Sequence, residues 1–235
     1  MGAGAGPSSL RDPRGMAVAA DGTLWLADSG NQRIQHWNAS GTPLGVWGQE
    51  GTAAGQLRNP YDLALAADGS LWIADAGNRR VQHWSAAGQA LGGWSTAEPD
   101  TPSNEGPWSI ALDPQGRVYV VETSYDLGSP RGTVRLWLKR YAAGGTLEGV
   151  HLGGEANSIG EPNPVRGLHW QAESLLIAFP EAGQVLRCDR QGRVTRRWGA
   201  LGDSLGVLYD PHSLAISSDG RLAVSDAGRD LVHLL

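Results

Sequence analysis

The sequence predicts an all-β chain built as a β-propeller of five blades with about four antiparallel strands each, and three observations predict it. Residues 10–47 and 57–94 say the same thing in nearly the same letters, which is the mark of a solenoid, propeller or array. Within each copy, four apolar runs rich in Trp, Leu, Val and Ile are separated by Asp-Gly, Gly-Asn and Ala-Gly signals, the composition of short strands joined by tight turns. No stretch sustains a helical period, which excludes helical repeats.

The second copy shows the elements in order. Its runs cover Ala64 to Ala67, Leu71 to Ala74, Val81 to Trp84 and Leu91 to Trp94. The second run is apolar at consecutive positions, as expected of a strand covered on both faces. Four-stranded sheets stacked face to face around an axis meet that demand. Landmark prolines Pro13, Pro60, Pro107, Pro164 and Pro211 recur at spacings of 47, 47, 57 and 47. They divide one domain, residues 1–235, into blades at about 13–48, 60–95, 107–152, 164–199 and 211–235. The ten extra residues of the third blade are expected in two places, six between Glu122 and Thr133 and four between Trp137 and His151.

The fifth blade stops at its third strand, one residue past the equivalent of Trp37, and so lacks an outer strand. The Gly-Ala residues after Met1 match a spacer and not a strand. Two arrangements stay open: a piece of a six-bladed ring, or a closed five-bladed ring with a three-stranded last blade. An unpaired edge invites self-association through that blade.

The stretch Ala27-Asp28-Ser29-Gly30-Asn31-Gln32-Arg33-Ile34-Gln35 resembles the NHL repeat, and the linker from Gly48 to Leu57 resembles that family's spacer between blades. The match is specific in blades one and two, partial in three and five and weak in four. It implies the propeller, often six-bladed, but not one activity, because such folds host many.

Composition narrows the function classes. The net charge is -5 and the pI about 5.6, with Lys139 the one lysine and the arginines scattered. Nucleic acid is not expected as a partner, since phosphate contacts need clustered Lys and Arg. The acidic loops between blades, among them Glu50, Glu155 and Asp210, suit a basic protein partner. Cys188 stands alone, so no internal disulfide forms. The N-terminus has neither a cationic start nor an apolar core, and no run is long enough to span a membrane. That points to the cytoplasm, or to a piece of a longer chain.

Loops joining second to third strands and loops joining blades leave a propeller on one face, so residues after each landmark proline ring the channel mouth. They are Arg14, Tyr61 with Asp62, Trp108, Val165 with Arg166, and His212. This ring differs in every blade, and a concave site with a few convergent polar groups is where a ligand is sought. Arg14, Tyr61, Asp62, Trp108, Arg166 and His212 are therefore the candidate ligand-binding residues, with Tyr61 and His212 as candidate acid or base groups. Glu122, Tyr125 and Asp126 join them through the insertion in the third blade. The competing reading is that mouth residues diverge because little constrains them.

Other recurring residues read as structural. The carboxylates Asp28, Asp75, Glu122 and Asp226, a series broken at Phe179, are expected to accept turn N–H groups or pair with Arg33 and Arg80. Trp25, Trp72, Trp37, Trp84, Trp137, Trp47, Trp94 and Trp198 are expected to pack between blades. His36, His83 and His233 are read as one position on third strands, in separate blades and unable to converge on one ion. His169 reads as a core histidine, with Gly167 making room for it.

Two functions follow. The first is a non-enzymatic scaffold that binds a protein or small ligand through its loop-rich face and channel mouth, with no cofactor. The second is a lyase or hydrolase at the channel mouth. Similar propellers include the peptide-amidating lyases, with a histidine-held zinc, and the lactonases, with a carboxylate-held divalent cation. By that resemblance only His212, Tyr61 and Arg14 or Arg166 could correspond, and the further histidines that a zinc needs are missing. A divalent cation in the channel stays open, as does an anionic substrate held by Arg14 and Arg166.

Overall fold

The structure is a computed structural model. It describes residues 6, 8–97, 106–126, 133–155, 167–171, 173–179, 183–199, 208, 210–216, 221–226 and 230–234, with backbone alone at 123–126, 133–136, 150–155 and 212. Five antiparallel sheets follow one another along the chain, each a simple meander. The first contains β1 (Pro13–Val18), β2 (Leu24–Asp28), β3 (Arg33–Trp37) and β4 (Pro43–Trp47). The second contains β5 (Pro60–Leu65), β6 (Leu71–Asp75), β7 (Arg80–Trp84) and β8 (Ala90–Ser95). The third contains β9 (Gly106–Leu112), β10 (Val118–Asp126), β11 (Thr133–Tyr141) and β12 (Leu147–Glu155). The fourth contains β13 (Gly167–Gln171), β14 (Ser174–Phe179), β15 (Gln184–Cys188) and β16 (Val194–Trp198). The fifth has three strands, β17 (Pro211–Ile216), β18 (Leu222–Asp226) and β19 (Leu231–Leu234).

Local chemistry explains the strand ends. The Asp-Gly turns after β1 and β5 place Gly22 and Gly69 at φ near +82° and +81°, a region that glycine enters without steric cost. The preceding aspartates close the turns: Asp21 accepts from the N–H and hydroxyl of Thr23, and Asp68 from those of Ser70.

The carboxylate that ends the second strand in blades one and two is a hub. Asp28 accepts from Arg11 N at 2.7 Å, Arg33 Nε at 2.7 Å and Gln35 Nε2 at 2.8 Å. Asp75 repeats the pattern with Arg58 N, Arg80 Nε and Gln82 Nε2. Arg80 then reaches the carbonyls of Thr52, Ala53 and Gln56, tying the incoming spacer to the blade. Burial pushes the Asp28 carboxyl up, but its donors outweigh that and hold it below the usual carboxylate range.

Strand pairing corrects three points of register. His233 pairs with Val224 as Gln35 pairs with Leu26 and Gln82 with Ile73. It therefore stands in the glutamine position and not with His36 and His83, and its Nε2 sits 3.2 Å from Asp226 where the glutamines contact Asp28 and Asp75. Leu234 opposite Ala223 accordingly takes the place of His36 opposite Trp25, one position earlier than the sequence count set it, while Leu235 lies outside the described residues. Trp137 lies opposite Glu122, the place of Arg33 and Arg80, while Tyr141 opposite Val118 takes the tryptophan position. Hence all ten extra residues of the third blade fall in the β10–β11 hairpin, none between Trp137 and His151. The insertion lengthens two paired strands to nine residues each.

Apolar clusters weld neighbouring sheets. Sheets one and two meet through Trp25, Ala27, Ile34, Leu63, Ile73 and Trp84. Sheets two and three, three and four, and four and five meet through clusters of their own. Among the described residues no such cluster joins the fifth sheet to the first. The repeat provides its own control: Met16 and Val18 on β1 match Leu63 and Leu65 on β5. Leu63 is 3% exposed and packs on sheet one, whereas Met16 is 55% and Val18 60% exposed. Sheet one thus carries apolar residues of interface type with no sheet against them among the described residues.

Candidate functional site

Turns of one face position the site. The N–H groups of Gly30 and Gly77 donate to the carbonyls of Arg11 and Arg58 at 2.8 Å, and Ser29 Oγ donates to the carbonyl of Pro60. These bonds hold each β2–β3-type turn beside the start of an innermost strand, so the landmark prolines share a face with the turns. The innermost strands β1, β5, β9, β13 and β17 all line one cavity of about 890 Å³.

At its mouth three blades meet in one stack. The Arg14 guanidinium lies 4.4 Å above the centroid of the Tyr61 ring, and Tyr61 meets Trp108 edge to face at 4.7 Å and 83°. Arg14 also pairs with Asp12 at 3.0 Å. Tyr61 is buried and Trp108 half-buried. Such arrangements combine a cation held over a π face with the favoured T-shaped aromatic geometry.

Asp62 lies one step deeper. Its carboxylate accepts from Ser109 Oγ at 2.7 Å, Ile110 N at 3.0 Å and Leu63 N at 2.8 Å. Burial pushes its carboxyl up to about 6, against the pull of those three donors. Opposite it sits Gly15, where a Cβ would lie 2.3 Å from Asp62 Oδ1 and 2.5 Å from its Cα. The glycine is what lets the carboxylate fit between neighbouring blades.

The structure thus brings together Arg14, Tyr61, Asp62 and Trp108. Arg166 lies outside the described residues, as does Val165. His212 belongs to β17, with its side chain outside the described set. Glu122 is taken up elsewhere: it is buried, pairs with Lys139 Nζ at 2.8 Å and accepts from Tyr141 OH at 2.7 Å. Tyr125 and Asp126 continue β10 opposite Val134 and Thr133, with side chains outside the described set. His36 and His83 stack on Trp25 and Trp72 at 3.9 and 4.1 Å. Cys188 is buried, and burial pushes its thiol up to about 11, which leaves it an inert core group. Among the described residues no group of three or more His, Cys, Asp or Glu could hold a metal ion.

The reading of His169 as a core histidine is corrected: its side chain is exposed and lines the cavity. Strand pairing aligns His169 with Ala64, and so with Ala17, Ala111 and Ala215. Four blades place alanine at this level and the fourth places an imidazole. His169 lines the cavity and is exposed to it, while the enclosing wall lowers its pKa by desolvation. Counting from the landmark prolines sets Leu168 against the alanines, so only the pairing of His169 with Leu176 finds it.

The NHL repeat model matches residues 10–37. Among curated proteins, no sequence matches. Solved structures with the same fold include virginiamycin B lyase from Staphylococcus aureus, 12% identical, with a TM-score of 0.56 over 95% of this chain and 83% of that one. A gluconolactonase from Xanthomonas campestris is 18% identical, with a TM-score of 0.60 over 91% of this chain and 69% of that one. A chain of a nidogen/laminin complex is 16% identical, with a TM-score of 0.66 over 95% of this chain and 75% of that one. At these identities the likeness is one of fold. No described helix is long and apolar enough to cross a membrane.

Proposed function

The chain is an NHL-repeat β-propeller, and from that premise we propose that it is a non-enzymatic binding module whose partner engages the mouth of the central channel. The observation that carries this reading is the Arg14, Tyr61 and Trp108 stack, in which Arg14 and Trp108 from two blades are accessible and are held by the buried Tyr61 of a third. Trp, Tyr and Arg are the residue types that dominate binding energy at protein surfaces. They sit at the opening of a cavity whose size lies within the range of ligand sites. The partner is a protein side chain or a small molecule presented to that rim, and the net charge of -5 favours a basic protein.

The test is a thermal-shift screen of small anions, cations and neutral compounds, together with a basic protein, followed by titration of whatever stabilises. Arg14→Ala and Trp108→Ala are each expected to weaken that binding about tenfold, near 1.4 kcal/mol, with little change in the melting temperature of the free protein. Full binding in both variants, or no stabilising partner at all, contradicts the reading.

A second reading, a lyase or hydrolase, has one specific observation in its favour. A cavity carboxyl raised to about 6, as at Asp62, lies in the range useful to a general acid or base. Enzymes sharing the fold include a virginiamycin B lyase and a gluconolactonase. Turnover of virginiamycin B or gluconolactone that disappears in Asp62→Asn would establish it in place of the first.

A further inference from the structure

We propose that the interior of the cavity, below the mouth, is a small-molecule site in which His169 is the specificity residue, and that it takes an uncharged, hydroxyl-bearing molecule with an apolar body. This rests on the binding-module reading in one respect, that the ligand enters past Trp108.

The comparison of blades comes first. At the level of His169 the other blades place Ala17, Ala64, Ala111 and Ala215, so the fold is satisfied at this position by a methyl group. Nothing in the repeat requires an imidazole. Among the described residues His169 makes no hydrogen bond and no ion pair, and its ring is exposed to the cavity. An imidazole open to the cavity can bond a molecule that enters it.

The neighbouring levels define that partner. Next toward the mouth stand Met16, Leu63, Ile110, Leu168 and Leu214, an apolar tier, and beyond them Gly15, Asp62, Gly167 and Ser213, a polar one. On the other side of His169 stand Val18, Leu65, Leu112, Trp170 and Ile216, a bulky apolar tier. A ligand reaching His169 rests its body on the apolar tiers, where a net charge would lose its hydration without replacement. A neutral imidazole offers one donor and one acceptor, and a hydroxyl matches either.

The test compares 2-naphthol with 2-methylnaphthalene, which replaces the hydroxyl by a methyl group of similar size. Sites built to bond a hydroxyl reject the analogue that lacks it. Binding is followed by two-dimensional NMR of the ¹⁵N-labelled imidazoles, with His169 assigned by its loss in His169→Ala. That variant restores the alanine found in the other blades and is expected to fold. The proposal expects 2-naphthol to shift the His169 signals and to bind at least about tenfold tighter than 2-methylnaphthalene, a preference that His169→Ala abolishes. Equal affinities in the wild type, a preference retained in His169→Ala, or no binding of 2-naphthol overturns it. Loss of 2-naphthol binding in Trp108→Ala speaks to the mouth, whereas intact binding there with lost preference in His169→Ala supports the interior site alone.

Discussion

Asp62 shows how one side chain can be read from the sequence in place but not in character. Its position after Pro60 put it at the channel mouth. Its burial depends on Gly15 from one neighbouring blade and Ser109 from the other, 47 residues away on either side, and only the assembled ring brings them together. The raised carboxyl pKa makes a signed prediction. In the unfolded chain the group titrates near its ordinary value of 3.8, and in the folded chain at about 6. Between those values the folded state holds the extra proton, so this group's contribution to stability falls as pH rises through the window. In urea denaturation from pH 4 to 7, the stability of the wild type relative to Asp62→Asn should decline with rising pH, by at most about 1.4 kcal/mol per pH unit. A flat or rising difference would show that the carboxyl is not held in this way. His169 teaches the complementary lesson. On one strand it reads as a core residue, and its unusual standing appears only when five strands are aligned by their pairing.

At the scale of elements, the recurring letters foretold the strands, their turns and the Asp hubs, because each of these is made by residues close in sequence. Register near the insertion was less legible. Ten residues added to the β10–β11 hairpin could be counted but not located, since Trp137 imitates a tryptophan position that Tyr141 occupies. His233 likewise imitates His83, while its pairing with Val224 gives it the duty of Gln82 beside the strand-end carboxylate. Equivalent positions on different strands can also be set against each other in experiment. Leu63→Ala on β5 removes a buried side chain at a sheet–sheet seam and should cost about 2–5 kcal/mol. Met16→Ala at the matching position on β1 should stay within about 0.5 kcal/mol, since that face is open. Equal losses in chemical denaturation would mean that something covers β1.

On the scale of the whole molecule, five sheets are joined by four apolar seams among the described residues, and the last sheet has three strands. The spacing of the prolines foretold the number of sheets. It could not say how the first and fifth stand to each other, because that depends on surfaces meeting across the full length of the chain. The innermost strands nevertheless line a shared cavity, and three residues that differ between blades, Arg14, Tyr61 and Trp108, touch at its mouth. The claim that this mouth is where the molecule meets its partner is most directly tested by ¹⁹F NMR of protein carrying 5-fluorotryptophan, with the Trp108 signal assigned by Trp108→Phe. On titration with a stabilising compound, the account predicts that the Trp108 resonance moves while those of Trp25 and Trp72, buried between sheets, stay in place. A bound compound that leaves Trp108 unmoved would contradict it.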